Sequence, residues 1–389
     1  MIKCLGQLGE SSMAGDPDEG MLSWDESVFR NEHVFEIDYV PETFRHRGNQ
    51  MENLKYALRP AVRGSRPLNC LVQGPPGTGK TTSVYKLFDE LAARTDVRTV
   101  RVNCQVDSTR YSVFSRVFEG IFDYEPPSSG ISFKKLFGQV TDELVEDDEV
   151  LVVALDDVNY LFYEGEASDT LYSLLRAHET QGGAKIGVIV VSSDLNLDII
   201  EELDSRVQSV FRPEEIYFPV YGESEIVDIL RERADRGFHD GVVSEDVLER
   251  VAELTAESGD LRVGIDLLRR AGLNAEMRAS RTVSVEDVDE AYEKSKFVHL
   301  SHSLRALADS ERGLVRVIAE HEGQQAGEVY EAFNEETDLG YTRYSEIVNK
   351  LEQLGIVETE YADVEGRGRS RELSLAYDAD AVLARLDGG

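Results

Sequence analysis

The chain has 389 residues, and its 75 Asp and Glu against 41 Lys and Arg give a formal net charge of −34. Hydrophobic residues make up 41% of it. That excludes a chain disordered throughout, and because no run of about 18 apolar residues exists, no membrane-crossing helix is expected. At about 150 residues per domain the length predicts two or three domains, and the charge at face value argues against a partner as anionic as DNA.

The basic residues divide into 10 Lys and 31 Arg. Few lysines beside abundant acids resemble the composition of proteins from salt-loving microbes, whose molar salt screens charges within about 3 Å. An ordinary acidic protein is the alternative. The three cysteines, Cys4, Cys70 and Cys104, offer neither a zinc spacing nor an even disulfide set, which predicts a reducing compartment. No apolar signal segment opens the chain, so we expect a cytoplasmic protein.

The first stretch, residues 1–25, is rich in Gly, Ser, Asp and Glu and predicts a flexible tail. From about residue 26 to 217, short runs rich in Val and Ile alternate with helical patterns. Such runs are typical of buried parallel strands, and the alternation predicts an α/β domain. The runs are NCLVQ (69–73), TVRVNC (99–104), VLVVAL (150–155) and KIGVIVVS (185–192).

A phosphate-binding motif follows the first of these runs. GPPGTGKT fits GxxxxGK[ST] between a strand and a helix, which is the context that the motif requires. Backbone N–H groups surround a phosphate chain there, Lys80 reaches the β- and γ-phosphates, and Thr81 joins the shell of Mg²⁺. The motif therefore predicts an ATP/ADP and Mg²⁺ site. Its nucleotide-binding residues are Gly74, Pro75, Pro76, Gly77, Thr78, Gly79, Lys80, Thr81 and Thr82.

Two acids end the third run. Asp156 is placed to hold Mg²⁺ through its water shell, and Asp157 is suited to orient the attacking water. A simple turn is the alternative for such a pair, but a P-loop upstream favours the functional interpretation. The reaction is phosphoryl transfer to water, to which the protein contributes position and charge.

Beyond residue 217 the strand patterns stop. Apolar residues at helical spacing over about 218–300 predict a small helical domain, and residues 295–304 are predicted to be a linker. From 301 to 389, three helical patterns precede two strands joined by a basic turn. That order predicts a winged helix, a variant of the helix-turn-helix.

The P-loop and the acidic strand end resemble those of AAA+ ATPases. In their order along the chain, all these features are similar to archaeal replication initiators related to the eukaryotic origin-recognition and loading subunits. The resemblance covers roughly residues 26–389. Three further stretches carry it: DYVPETFRHRGNQMENLKYALRPAVRG (38–64), ELDSRVQSVF (202–211) and SGDLRVGIDLLRRAG (258–272), the last similar to the sensor-2 helix of the family.

This resemblance implies an AAA+ base at 26–217, a helical lid at 218–300 and a winged-helix DNA-binding domain at 301–389. It places Tyr39 and Pro41 near the adenine and makes Arg262 the sensor-2 residue on the phosphates. Arg206 becomes a candidate arginine finger or subunit contact, with a surface ion pair as the alternative.

Two positions depart from the family pattern. Asp157 stands where the family usually has Glu, so its carboxylate is one methylene further from the water. Ser193 stands at the sensor-1 position, usually Asn, and has less reach. Because a misplacement of about 1 Å can cost about a hundredfold in rate, we predict slow hydrolysis, as in an ATP-held switch.

Candidate DNA contacts lie in the C-terminal domain, although residues 301–389 carry 9 Lys and Arg against 19 Asp and Glu. The predicted wing tip alternates Arg with Gly, which suits phosphates or a narrow minor groove. A second region resembles a helical element that related initiators place against DNA, with core-facing helix packing as the alternative. The candidates are Arg343, Tyr344, Ser345, Asn349 and Lys350 of the recognition helix, Arg367, Arg369 and Arg371 of the wing, and Arg110, Tyr111 and Arg116 of the second region.

Three functions stay open. The first is a nucleoid-associated, ATP-binding initiator that recognises double-stranded origin DNA, with the replicative helicase and other initiator copies as partners and no membrane. The second is a DNA motor of the RuvB branch-migration type, and the third is an ATP-gated transcriptional regulator diverged from the initiators. Molar salt weakens counterion release, so the net charge no longer excludes DNA, but affinity must then depend on geometry, base-edge contacts and DNA shape.

Overall fold

The computed structural model describes residues 27–36, 39–42, 44–127, 131–179, 183–305, 307–337, 339–353, 355–364 and 368–387. The tail predicted at residues 1–25 lies outside these ranges. The chain divides into two compact units, one ending at Val288 and the other beginning at Asp289. Within the described ranges, no helix is long and apolar enough to cross a membrane.

A five-stranded parallel sheet in the order β2-β3-β4-β1-β5 forms the centre of the first unit. All four apolar runs that predict strands are strands. The fifth, at the edge, has no such run because only Ile216 of its four residues is buried. The strands are β1 (Cys70–Gln73), β2 (Arg98–Asn103), β3 (Val150–Asp156), β4 (Lys185–Ser192) and β5 (Glu214–Tyr217).

Helices cover both faces of this sheet. On one face, Phe88 lies in the same apolar core as Val72, and on the other Phe114 lies with Val153. Every residue of β3 is therefore buried, which explains its unbroken apolar sequence. The covering helices are α1 (Gly48–Leu58) and α2 (Lys80–Arg94) on the first face, and α3 (Arg110–Phe122), α4 (Phe133–Glu146) and α6 (Ala167–Leu175) on the second, with the short α5 (Asn159–Tyr163) and α7 (Ser205–Gln208) in the connections.

A helical subdomain follows β5 within the same unit. Its amphipathic helices pack on one another and on the start of the described chain, where Phe29 stacks on Phe238. Gly272 faces both rings, and a Cβ atom there would lie 2.5 Å from Phe29. The helices are α8 (Glu223–Gly237), α9 (Glu245–Ser258) and α10 (Leu261–Met277).

The next helix, α11 (Val285–Arg305), runs through the boundary between the two units. The prediction of a linker at residues 295–304 is wrong, because this stretch is helical and places Leu300 and Leu304 in the apolar core of the second unit. These two leucines are four residues apart, so they lie on one face of the helix.

The second unit contains the predicted three helices and hairpin, with two additions. A short third strand pairs with the hairpin, and a helix follows the hairpin. The elements are α12 (Asp309–Glu320), β6 (Gln324–Gln325), α13 (Ala326–Thr337), α14 (Tyr341–Gln353), β7 (Val357–Val364), β8 (Gly368–Leu375) and α15 (Ala379–Asp387).

Candidate functional site

The GPPGTGKT loop connects the end of β1 to the start of α2. Gly77 and Gly79 have φ angles of +69° and +87°, in the left-handed region that glycine adopts without a steric cost. The turn they make brings the N-terminus of α2 to the carboxyl edge of the sheet. Backbone N–H groups at a helix N-terminus attract phosphate.

Lys80, the first residue of α2, is 4% exposed. Its Nζ donates hydrogen bonds of 2.8 Å to the carbonyl oxygens of Gly74 and Pro75, so the ammonium lies inside the curl of the loop. Burial lowers the pKa of Lys80 to about 8, although the carboxylates of Asp156 and Asp157 act in the opposite direction. The loop therefore holds a partly desolvated cation where a phosphate chain would lie.

Asp156 ends β3 beside this loop. Its Oδ1 accepts a hydrogen bond of 3.0 Å from the Thr81 hydroxyl, and its Oδ2 accepts one of 3.4 Å from Tyr85. Burial, followed by the charge of Asp157, raises the pKa of Asp156 to about 6. A hydroxyl and a carboxylate are the hard oxygen donors that Mg²⁺ prefers together with water and phosphate oxygens. The pair therefore fits the metal that the motif predicts.

Asp157 and Ser193 follow the ends of two neighbouring strands, β3 and β4. The backbone of Asp157 is left-handed, with φ +51°. Among residues other than glycine, Asp and Asn are enriched in this region. At the end of β4, the Ser192 hydroxyl accepts a hydrogen bond of 3.2 Å from the N–H of Asp194, which shapes the turn around Ser193.

Two side chains of the helical subdomain lie near the loop, and Asp260 is in contact with it. Asp260 caps α10 by accepting from the backbone N–H of Arg262 at 2.9 Å, and a Cβ atom at Gly77 would lie only 1.8 Å from its Oδ1. The Arg262 guanidinium binds the same carboxylate, and these hydrogen bonds raise the pKa of Arg262. Its charge acts on both Lys80 and Asp157. Five predicted site residues, Lys80, Thr81, Asp156, Asp157 and Arg262, therefore lie together.

Two predicted adenine neighbours precede α1. The Tyr39 hydroxyl accepts from Arg236 of α8 at 3.2 Å, and its ring lies 4.4 Å below the Arg233 guanidinium. Pro41 follows two residues later and is half-buried. This segment therefore lies on the helical subdomain.

Arg206 is engaged with acids on the surface of the unit. Its guanidinium pairs with Asp169 at 2.5 Å and with Asp204 at 2.8 Å, and lies 5.0 Å above the Tyr172 ring. The hydrogen bonds to Asp204 and Asp169 raise the pKa of Arg206. The side chain is 49% exposed. This arrangement is the surface ion pair that the sequence leaves open beside an arginine finger.

The arginines of α3 are also paired. Arg110 lies 3.6 Å from Asp169 and stacks 4.2 Å above the Phe133 ring, while Arg116 pairs with Glu119 at 2.6 Å and with Asp107 at 3.4 Å. Tyr111 is 38% exposed. Arg116 and Tyr111 are thus accessible from solvent, whereas Arg110 is held against an aromatic ring.

One predicted DNA contact in the second unit is wrong. Tyr344 is only 2% exposed, and its hydroxyl donates a 2.8 Å hydrogen bond to the carbonyl of Ala326. Helical periodicity turns this position toward the core, between Ile347 and Val348 on the next turn. The remaining predicted side chains of α14 lie on its other face, where Ser345 is half-buried and Asn349 is exposed.

Three basic candidates of the second unit have acidic partners. Arg343 pairs with Glu346 at 2.9 Å, and Lys350 with Glu311 at 2.8 Å. Arg371 of β8 pairs with Glu352 and donates to Asn349 at 3.2 Å. Arg369 lies on β8, and Arg367 falls outside the described residues.

Sequence reasoning missed Arg47. This side chain is 1% exposed and donates from Nε to the carbonyl of Thr78 in the P-loop at 3.0 Å, and from Nη2 to the carbonyl of Pro219 at 2.6 Å. Its guanidinium lies 3.6 Å from the centre of the Tyr221 ring. An arginine in a polar stretch carries no local signal for such a position, because its partners are 31 and 172 residues away.

Comparison with known families and structures agrees with this geometry. An AAA ATPase domain matches residues 43–191, and a Cdc6 AAA+ ATPase-type lid domain matches residues 227–293. ORC1-type DNA replication protein 3 of Haloarcula marismortui is 76% identical over 96% of this chain and 100% of its own length. ORC1-type DNA replication protein 6 of Halobacterium salinarum is 70% identical over 96% and 100%. The solved structure of the Aeropyrum pernix ORC1 protein in complex with DNA is 30% identical, with a TM-score of 0.74 over 94% of this chain and 98% of that one.

Proposed function

Because this chain belongs to the family of ORC1-type DNA replication proteins and is an AAA+ ATPase, we propose that it is an initiator that recognises double-stranded origin DNA, with slowly hydrolysed ATP as its switch. The position of Asp260 and Arg262 over the P-loop carries the switch, because a bound phosphate chain would meet the base and the lid together. A branch-migration motor is disfavoured, since both haloarchaeal relatives match along their whole length.

In this mechanism the P-loop amides and Lys80 bind the β- and γ-phosphates. Thr81 and Asp156 would hold Mg²⁺, which when bound supplies positive charge to the phosphate oxygens. Asp157 orients water, Ser193 donates one hydrogen bond, and Arg262 contacts the phosphates from the lid. Arg206 of another copy would complete the site only after leaving its ion pairs with Asp169 and Asp204.

The same proposal makes the second unit a winged helix, with α14 as the recognition helix and the β7-β8 hairpin as the wing. Arg343, Asn349 and Lys350 offer polar groups on the solvent face of α14. Arg369 belongs to β8 of the proposed wing. This assignment is supported by the order of three helices and a hairpin, and by the Aeropyrum pernix ORC1 protein, which was solved with DNA. The replicative helicase and other initiator copies are the proposed partners.

Nuclease protection in near-molar KCl tests the proposal. We expect the wild type to protect a discrete repeat near a replication origin, with different patterns in ATP and in ADP. The Lys80→Ala variant should lose this nucleotide dependence, whereas Lys86→Ala, on the same helix but outside the motif, should keep it. Turnover should stay below about 10 s⁻¹, the median for enzymes.

Each other outcome has a meaning. Protection only at the promoter of its own gene would favour the transcriptional regulator diverged from the initiators. The departures from the family pattern at Asp157 and Ser193 support this alternative. Rapid turnover without sequence preference would favour the motor. In a salt titration, Arg343→Gln should lower the slope of log K against log salt by about 0.9, as expected for one lost phosphate contact. An unchanged slope would remove Arg343 from the interface.

A further inference from the structure

Three consecutive side chains before α1 form a bridge between the P-loop and the lid. We call residues 45–47, Arg-His-Arg, the coupler. Arg45 Nε lies 2.9 Å from Glu232 of α8. His46 has its two ring nitrogens 3.5 Å from Glu225 and 3.2 Å from Asp228. These three acids are three and four residues apart along α8, so they present one face of the lid helix to the coupler.

The third residue, Arg47, faces the nucleotide side. It donates to the carbonyl of Thr78 within the P-loop and to the carbonyl of Pro219, four residues before α8 begins. It also stacks on Tyr221, whose hydroxyl oxygen lies 3.2 Å from the place of a Cβ atom at Gly79. One guanidinium therefore joins the P-loop to the segment that leads into α8.

This geometry has a cost that a surface arginine avoids. Arg47 is almost completely buried, and burial lowers its pKa because the charged form is desolvated. Its compensation consists of three carbonyl acceptors and the aromatic face of Tyr221. A planar, multi-donor group suits this place, because its donors diverge in fixed directions toward two separate backbone segments.

We propose that Arg47 is a positioning residue of the ATPase site, which fixes the lid, and with it Arg262, in register over the P-loop. A displacement of the P-loop by nucleotide moves the Thr78 carbonyl and is passed to the lid through Pro219, Tyr221 and the coupler. This inference rests on the proposed role of Arg262, and its test separates the two.

The experiment compares steady-state ATP hydrolysis of the full chain in near-molar KCl. Arg47→Met should lower kcat by about tenfold or more while KM for ATP changes by less than about threefold, because the P-loop still binds phosphate but the lid is misplaced by about 1 Å. Arg47→Lys keeps the charge and part of the donor set, so it should restore part of kcat. Arg66→Met is the matched control, since Arg66 also donates to backbone carbonyls, of Ile186 and Leu175, away from the P-loop. It should stay within twofold of the wild type.

A double variant tests the route of the effect. If Arg47 acts through the lid, Arg47→Met should lose little further activity in the background of Arg262→Ala. Equal losses for Arg47→Met and Arg66→Met, or a full loss again in the Arg262→Ala background, would overturn the proposal. If Arg262→Ala alone leaves kcat unchanged, the proposed role of Arg262 is wrong. The comparison of Arg47→Met with Arg66→Met then still tests the role of Arg47. Should Arg47→Met not fold, Arg47→Lys with a wild-type kcat would also overturn it.

Discussion

At the scale of single residues, position 157 meets two opposing demands. Its backbone is left-handed, which favours Asp over a longer side chain. Its proposed chemistry, to orient the water that attacks ATP, favours the extra methylene of Glu. The aspartate therefore fits the local backbone at the expense of reach.

Substitution of Asp157 by Glu separates these demands. We expect kcat to rise by about tenfold or more, because the carboxylate comes about 1 Å closer to the water. The free energy of unfolding should fall by about 1 kcal/mol, because Glu fits a left-handed φ less well. Turnover assays and chemical unfolding in near-molar KCl measure the two quantities.

The Asp157→Asn variant is the control for this substitution, since it keeps the backbone preference and removes the charge. It should lose hydrolysis without losing stability. A kcat of Asp157→Glu equal to or below that of the wild type would show that reach does not limit the reaction.

At the scale of elements, Glu311 joins two helices of the second unit. It is 3% exposed, and it accepts from the N–H of Ala308 at 3.0 Å at the start of α12 and from Lys350 of α14 at 2.8 Å. Burial by itself would raise the pKa of Glu311, but the hydrogen bonds from Lys350 and Ala308 outweigh it and hold the pKa below its ordinary value. The ionised form of Glu311 is thus favoured more strongly in the folded chain than in the unfolded chain.

The sign of the pH dependence follows from this shift. A carboxyl group whose pKa is lower in the folded chain stabilises the fold. This stabilisation is complete above the unfolded pKa of about 4.3 and is lost as the pH falls through the folded pKa. Glu311→Gln should therefore lower the free energy of unfolding by about 1 to 2 kcal/mol at pH 7 and by less at pH 4. Thermal unfolding of the full chain at both pH values measures the difference.

Glu346→Gln is the matched control, because Glu346 pairs with Arg343 in the open, with both side chains more than half exposed. Exposed ion pairs contribute little to stability, so the free energy of unfolding should change by no more than about 0.5 kcal/mol. If the difference in unfolding free energy between the wild type and Glu311→Gln is the same at both pH values, the charge of Glu311 does not stabilise the fold.

Elements were predictable from the sequence where their signal is local. The P-loop lies between a strand and a helix that are contiguous in the chain. The motif and its spacing were therefore enough to predict the α/β domain. The family and the ATPase activity are confirmed on the same residues. Edge strand β5 has no such signal, and the linker expected at 295–304 is helical because Leu300 and Leu304 pack into a core formed by residues further along the chain.

The part of the candidate site that belongs to the P-loop and to the end of β3 was predictable for the same reason. Lys80, Thr81 and Asp156 belong to short motifs, and the structure brings them together. The position of Arg47 is fixed by hydrogen bonds to two carbonyl groups that are far away in the sequence. No sequence motif predicts these contacts. Tyr344 shows the converse: a residue type that suits DNA lies on the core face of its helix.

At the scale of the whole molecule, 75 acids against 41 bases imply mutual repulsion over the surface. Relatives in Haloarcula marismortui and Halobacterium salinarum agree with the interpretation of this composition as salt-adapted. Screening would then be part of what keeps the chain folded.

Unfolding as a function of KCl tests this. The melting temperature should rise with KCl and level off near 1 M, because the Debye length falls from about 10 Å at 0.1 M to about 3 Å at 1 M. Calorimetry across this range gives the curve. Glycine betaine at matched osmolality carries no net charge and should raise the melting temperature less. An equal rise in betaine would assign the effect to exclusion of solutes from the surface.

The pairing of basic candidates with acids also bears on how the proposed DNA affinity would change over generations. Arg343, Lys350 and Arg371 already stand on the second unit, each beside a glutamate. Loss of one glutamate would release a cation without building a new contact, and a single base change converts a glutamate codon into a lysine codon. Under the proposed function, duplicated copies of such a gene would acquire different origin affinities in one mutational step.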